Sequence, residues 1–194
     1  MSGKNDEIIQ IVAFPTSDTN FTPNDIINIL LKQYKHTIIN KSRHAIEFTL
    51  TLPNSVKTTK IMICSISDLT REYSGITDVN CYLIFIDLQN ENSKESLDLI
   101  ISFSQNYCDL TKKIYIFGVI NEEKEAKQII CEGDIKKVMD SSNFNYEYIG
   151  INLIKTNEVA DSILNLFIDC SLESSIQEST INKMDDKAHS CNVF

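Results

Sequence analysis

Two places in this chain carry residue types at spacings that do chemistry. The first is the terminal tetrapeptide Cys191-Asn192-Val193-Phe194. It fits the C-a-a-X pattern loosely: Val193 is aliphatic, Asn192 is not, and a terminal Phe favours a geranylgeranyl chain on the Cys191 sulfur. The second is Thr22-Pro23-Asn24-Asp25. A threonine, then proline, then an acid three residues on satisfies the free amides at a helix start, so Thr22 is expected to cap a helix. His36, His44 and His189 have no partner at metal-ligand spacing, and no nucleophile elbow, H-E-x-x-H or Ca²⁺ loop occurs. The six cysteines, Cys64, Cys81, Cys108, Cys131, Cys170 and Cys191, form no C-x-x-C pair and read as reduced thiols of a cytosolic protein.

The elements that must position these residues follow from hydrophobic pattern. A chain of 194 residues, 42% hydrophobic and 23% charged, forms one domain with its own core. Lys+Arg is 18 and Asp+Glu is 27, a formal net charge of −9, which argues against nucleic acid as a partner and against a polybasic membrane patch. No apolar run approaches the length of a spanning helix, and residues 1–6 are polar, without a signal-peptide core. Residues 8–14 (IIQIVAF) read as a buried strand, followed by a helix from Thr22 and a polar loop over 35–43. Residues 45–52 and 56–66 flank Pro53-Asn54-Ser55 and predict an antiparallel hairpin, the first strand half exposed. The continuous apolar runs 81–87 (CYLIFID) and 113–119 (KIYIFGV) predict central parallel strands. Helical patterns over 91–107 and 157–170, a loop plus helix over 121–142 and a strand over 146–152 complete the order. The expected fold is α/β, a mostly parallel sheet covered on both faces, with one antiparallel edge hairpin. Residues 171–190 lose periodicity and read as a flexible tail, so the domain is expected to span 1–170 and the tail 171–194.

This order of elements resembles the small GTPase fold of the Ras and Rab superfamily over roughly residues 8–170. The resemblance implies a phosphate-binding loop, G-x-x-x-x-G-K-S/T, after the first strand. The aligned segment is Pro15-Thr16-Ser17-Asp18-Thr19-Asn20-Phe21-Thr22. Pro15 lacks an amide proton, Asn20 replaces a glycine, Phe21 replaces the lysine, and Asp18 adds negative charge where phosphates would lie. Only Thr22 keeps the family's type, as a magnesium ligand or a helix cap. The family's D-x-x-G aligns with Ser65-Ile66-Ser67-Asp68, followed by Leu69 where a water-positioning glutamine is usual. Its N-K-x-D aligns with Val119-Ile120-Asn121-Glu122, in which Glu122 stands in the acid's place or is a solvated loop residue. Tyr34-Lys35-His36-Thr37-Ile38 is similar to the first switch loop, with Thr37 at the phosphate-sensing position, and Lys155-Thr156-Asn157-Glu158-Val159 to the last loop.

The motifs fail at the residues that bear charge, and uncompensated phosphate and magnesium charge is costly in a partly buried site. The resemblance therefore implies a non-catalytic pseudo-GTPase. Neither nucleotide nor metal is expected, and Thr22, Thr37, Glu122 and Lys155 are vestigial positions. Such a protein would act as a membrane-tethered adaptor or scaffold. Its protein partners would meet the former switch loops, about 34–44 and 65–79, and the strand 45–52. A prenyl group on Cys191 would hold it to the cytosolic face of a membrane, reversibly, since one lipid is a modest anchor. Two alternatives stay open: a divergent small GTPase that binds GTP or GDP with Mg²⁺ and regulates traffic or signalling, and a structural subunit of a larger assembly.

Overall fold

The computed structural model describes residues 7–15, 21–42, 45–53, 58–65, 78–123 and 127–172. In chain order these form β1 (Glu7–Pro15), α1 (Pro23–Gln33), β2 (His36–Lys41), β3 (Ala45–Thr51), β4 (Thr58–Ser65), β5 (Cys81–Asp87), α2 (Ser93–Tyr107), β6 (Lys113–Ile120), α3 (Glu132–Asp140), β7 (Tyr146–Asn152) and α4 (156–172). The strands make one sheet in the order β2-β3-β4-β1-β5-β6-β7. The five strands β4, β1, β5, β6 and β7 are parallel, and β2–β3 and β3–β4 pair antiparallel.

The continuous apolar runs take the middle of the sheet because both their faces are covered. Every residue of β5 is buried, and all of β6 but its two ends. Ile9, Ile11 and Ala13 of β1 face one core with Ile26, Ile27 and Leu30 of α1 and with Val159, Ile163 and Phe167 of α4. Val12 and Phe14 face the opposite core, with Leu97, Ile100 and Ile101 of α2 and Ile135 and Met139 of α3. The period-2 alternation of β1 thus divides three layers, and each fully buried Ile or Leu contributes about 1.5–3 kcal/mol. Ring stacking of Phe85 on Phe117, centroids 5.3 Å apart, ties β5 to β6.

Two expectations change. The polar segment 35–43 is not a loop: His36–Lys41 forms β2, paired with β3 and broken by a bulge between Ile38 and Asn40. Residues 45–52 are consequently not the edge. β3 lies between β2 and β4, and β2 is the outermost strand. The first residues of β2 are positioned by α1 and α4: the Tyr34 hydroxyl donates to Asp161 Oδ1 at 2.8 Å and Gln33 Nε2 to Asn157 Oδ1 at 3.0 Å. The Asp161 carboxylate holds the Tyr34 phenol above its ordinary pKa, chiefly through that hydrogen bond.

Cys170 lies within α4, buried, its sulfur 3.2 Å from that of buried Cys81, whereas Cys131 is exposed. Among the described cysteines, alkylation of the folded protein is therefore expected to modify Cys131 before Cys81 and Cys170, which react slower by at least about tenfold because they wait on local opening. Peptide mapping by mass spectrometry checks the order. Rapid labelling of Cys170 would contradict the packing of α4. Among the described residues, no helix is long and apolar enough to cross a membrane.

Candidate functional site

Ligands of open parallel sheets bind beyond the carboxyl ends of the strands. Here the ends of β1, β5, β6 and β7 meet the start of α1, and the first described residue after β1 is Phe21. Its ring is 7% exposed and belongs to the α1–α4 core. Phe21 is the residue before the helix cap and Ile26 the fourth residue of the helix, the two positions of a hydrophobic staple, and both are buried in that core. Thr22 caps α1 as its sequence requires. The Asp25 amide donates to Thr22 Oγ1 at 3.2 Å, while the Thr22 amide and hydroxyl each donate to Asp25 Oδ2 at 2.8 Å. Its hydroxyl is thus committed in both directions to the capping box.

Around Phe21 the strand ends are knit together. Asp87, 4% exposed, accepts the Gln89 amide on Oδ1 at 3.0 Å. Gln89 Oε1 accepts the Asn121 amide at 2.8 Å, joining the loop after β5 to the loop after β6. The Leu88 amide donates to the Val119 carbonyl at 3.0 Å and the Leu153 amide to the Ile120 carbonyl at 2.9 Å. Phe21, Asp87, Gln89, Val119, Ile120, Asn121 and Leu153 enclose a cavity of about 20 Å³. That is room for one water, against several hundred Å³ for a nucleotide-sized ligand.

The sequence-predicted positions fall in different places. Glu122 is exposed in the turn after β6, next to Asn121 of the cavity wall. Lys155 is exposed before α4 and pairs with Glu158 at 3.4 Å. Thr22, Glu122 and Lys155 therefore share the carboxyl edge of the sheet. Thr37 does not. Its partners across the sheet are Thr49, then Lys60, then Ile8, at the beginning of β1. From Ile8 to the end of β1 at Pro15 is roughly 20 Å at about 3.3 Å per residue, so the Thr37 hydroxyl cannot reach a ligand beside Phe21. Asp18, Asn20, Asp68, Leu69 and Cys191 lie outside the described residues. Asp87, Gln89 and Asn121 were not legible as site residues. Only the acid closing the apolar run 81–87 signalled one of them.

At this edge the Phe21 ring is packed as core, the Thr22 hydroxyl is engaged in a cap, and the enclosed space has room for one water. Among the described residues, no three His, Cys, Asp or Glu side chains are grouped to hold a metal ion. No protein-family model matches the chain, and no curated protein matches it.

Proposed function

We propose that this chain is a pseudo-GTPase: a small-GTPase-like domain that neither binds nor hydrolyses nucleotide and serves as a protein-interaction adaptor, tethered to the cytosolic face of a membrane through a prenyl group on Cys191. The order of strands and helices supports the fold assignment at the level of layout. The observation that carries the functional reading is Phe21. It lies where the phosphate-binding lysine of such a domain would reach, and it is packed as core rather than presented to a ligand. The conversion of the first switch-like segment into β2 also supports it, because a strand zipped along the sheet and pinned through Tyr34 has no loop left to respond to a third phosphate.

The test is titration of the purified full chain with fluorescent GTP and GDP in the presence of Mg²⁺, alongside assay of nucleotide released on denaturation. No saturable binding is expected in the micromolar range. Micromolar or tighter affinity for either nucleotide, or stoichiometric nucleotide carried through purification, would return the chain to the GTP-binding alternative.

A further inference from the structure

We infer that Cys81 and Cys170 form a redox-sensitive dithiol: a hydroperoxide converts the pair to an intramolecular disulfide that fastens the end of α4 to the first residue of β5, and a dithiol reductant releases it. This goes beyond the adaptor reading and does not rest on it. Three observations meet at the pair. First, the two sulfurs touch. The Cys170 thiol donates to Cys81 Sγ at 3.2 Å, between residues 89 positions apart in the chain. A disulfide holds its sulfurs about 2.05 Å apart, so about 1.2 Å of approach closes the bond. Second, burial matches these two cysteines with each other. Both lie in the α1–α4 core, 0% and 1% exposed, whereas Cys108 is half-buried and Cys131 exposed. Third, one partner is fixed and the other sits near a helix end. The Cys81 backbone is registered with Ile11 of β1 on one side and Lys113 of β6 on the other. Cys170 closes the apolar stripe of Val159, Ile163 and Phe167 along α4, two residues before exposed Leu172. Helix ends open locally at low cost, so the oxidant reaches Cys170 there, and repacking returns it to a partner that has not moved.

The Cys170 thiolate attacks a peroxide oxygen. The O–O bond breaks, the sulfur gives up two electrons to become a sulfenic acid, and the peroxide leaves as alcohol, or as water from hydrogen peroxide. Repacking then sets Cys81 against the oxidised sulfur. Cys81 attacks it, the S–S bond forms as the S–O bond breaks, and the departing hydroxide takes the Cys81 proton to leave as water. A dithiol reductant reverses the step by exchange and is itself oxidised to a disulfide. In a reducing compartment the pair rests as two thiols, and the bond forms under oxidant alone.

The experiment treats the reduced full chain with hydrogen peroxide, alkylates it in denaturant and maps the unreduced peptides by mass spectrometry. A peptide linking Cys81 to Cys170 is expected, lighter by two hydrogens than its two thiol halves. Because the bond closes a long loop, Tm is expected to rise by roughly 5–10 °C and to return on dithiothreitol. Amide exchange over residues 167–172 is expected to slow at least about tenfold. Cys81→Ala and Cys170→Ala, made singly, should lose both the link and the rise in Tm, and in Cys81→Ala dimedone should trap the sulfenic acid on Cys170. Should either variant fail to fold, the link and the melt of the unmutated chain decide by themselves. Recovery of Cys81 and Cys170 as alkylated thiols after Cys131 is fully oxidised overturns the inference, since the pair is then inert core packing. A link that forms only in denaturant overturns it too, as does one whose release leaves Tm unchanged.

Discussion

Replacing Phe21 with alanine is expected to cost about 3–5 kcal/mol of folding stability. The ring is buried against the α1–α4 core and already borders a cavity of about 20 Å³, so its removal enlarges a void that the surrounding strand ends have little freedom to close. Those ends are fixed to one another through Asp87, Gln89, Asn121 and Leu153. The loss includes the staple that sets the entry of the chain into α1, although the Thr22–Asp25 capping box survives. Urea unfolding should show a lower midpoint with an unchanged slope, and Tm should fall by roughly 10 °C. The result separates two views of this residue. If Phe21 merely lies in a dispensable loop beside a latent ligand site, alanine is close to neutral. A change below about 0.5 kcal/mol, the range of ordinary surface substitutions, would remove the main support for calling the site plugged.

The segment around Phe21 also shows how far local sequence reaches. The cap, the proline at the first helical position and the acid three residues on are a local code, and α1 begins where that code places it. The runs at β5 and β6 were legible because burial on both faces leaves no polar positions to interrupt them. The β3–β4 hairpin was legible from the alternation of Glu47, Thr49 and Thr51 with Ile46, Phe48 and Leu50. The strand β2 was not. His36–Lys41 is exposed along nearly its whole length, and its bulge breaks the period, so it has neither the apolar run nor the alternation that marks a strand. What holds it is pairing with β3, a partner remote from anything the six residues encode. Thr37 failed to join the site for a related reason. The pentapeptide 34–38 resembled a switch loop by residue type, but its place in the sheet depends on the direction in which β2 runs, and β2 runs with β1, so Thr37 stands beside the strand's beginning. Gln89 and Asn121 were illegible because their contact exists only once β5 and β6 lie side by side.

Gly118→Ala is expected to destabilise the protein by about 1–3 kcal/mol, through overpacking rather than through backbone strain. A β-carbon on residue 118 would collide with the Tyr148 hydroxyl oxygen and lie within 2.8 and 2.9 Å of two ring carbons, so the ring itself and not only its tip must move. Tyr148 packs half-buried against the α2–α3 core, and that burial is the main cause raising its phenol pKa. A displaced ring reaches solvent, so the phenol in the alanine variant should titrate closer to the ordinary tyrosine value, visible in the phenolate absorbance. The second-site variants decide the cause. Tyr148→Phe removes the oxygen but keeps the crowding carbons, and most of the penalty should remain. Tyr148→Ala removes the ring, and in that background Gly118→Ala should be neutral or stabilising by about 0.5 kcal/mol, since glycine inside a strand carries an entropic cost that alanine relieves. A penalty that persists undiminished without the Tyr148 ring would place the constraint on the backbone of β6 instead. Because β6 ends in Val119 and Ile120 and leads into Asn121, all of the cavity wall, loss of this close fit should loosen the same strand end that encloses Phe21.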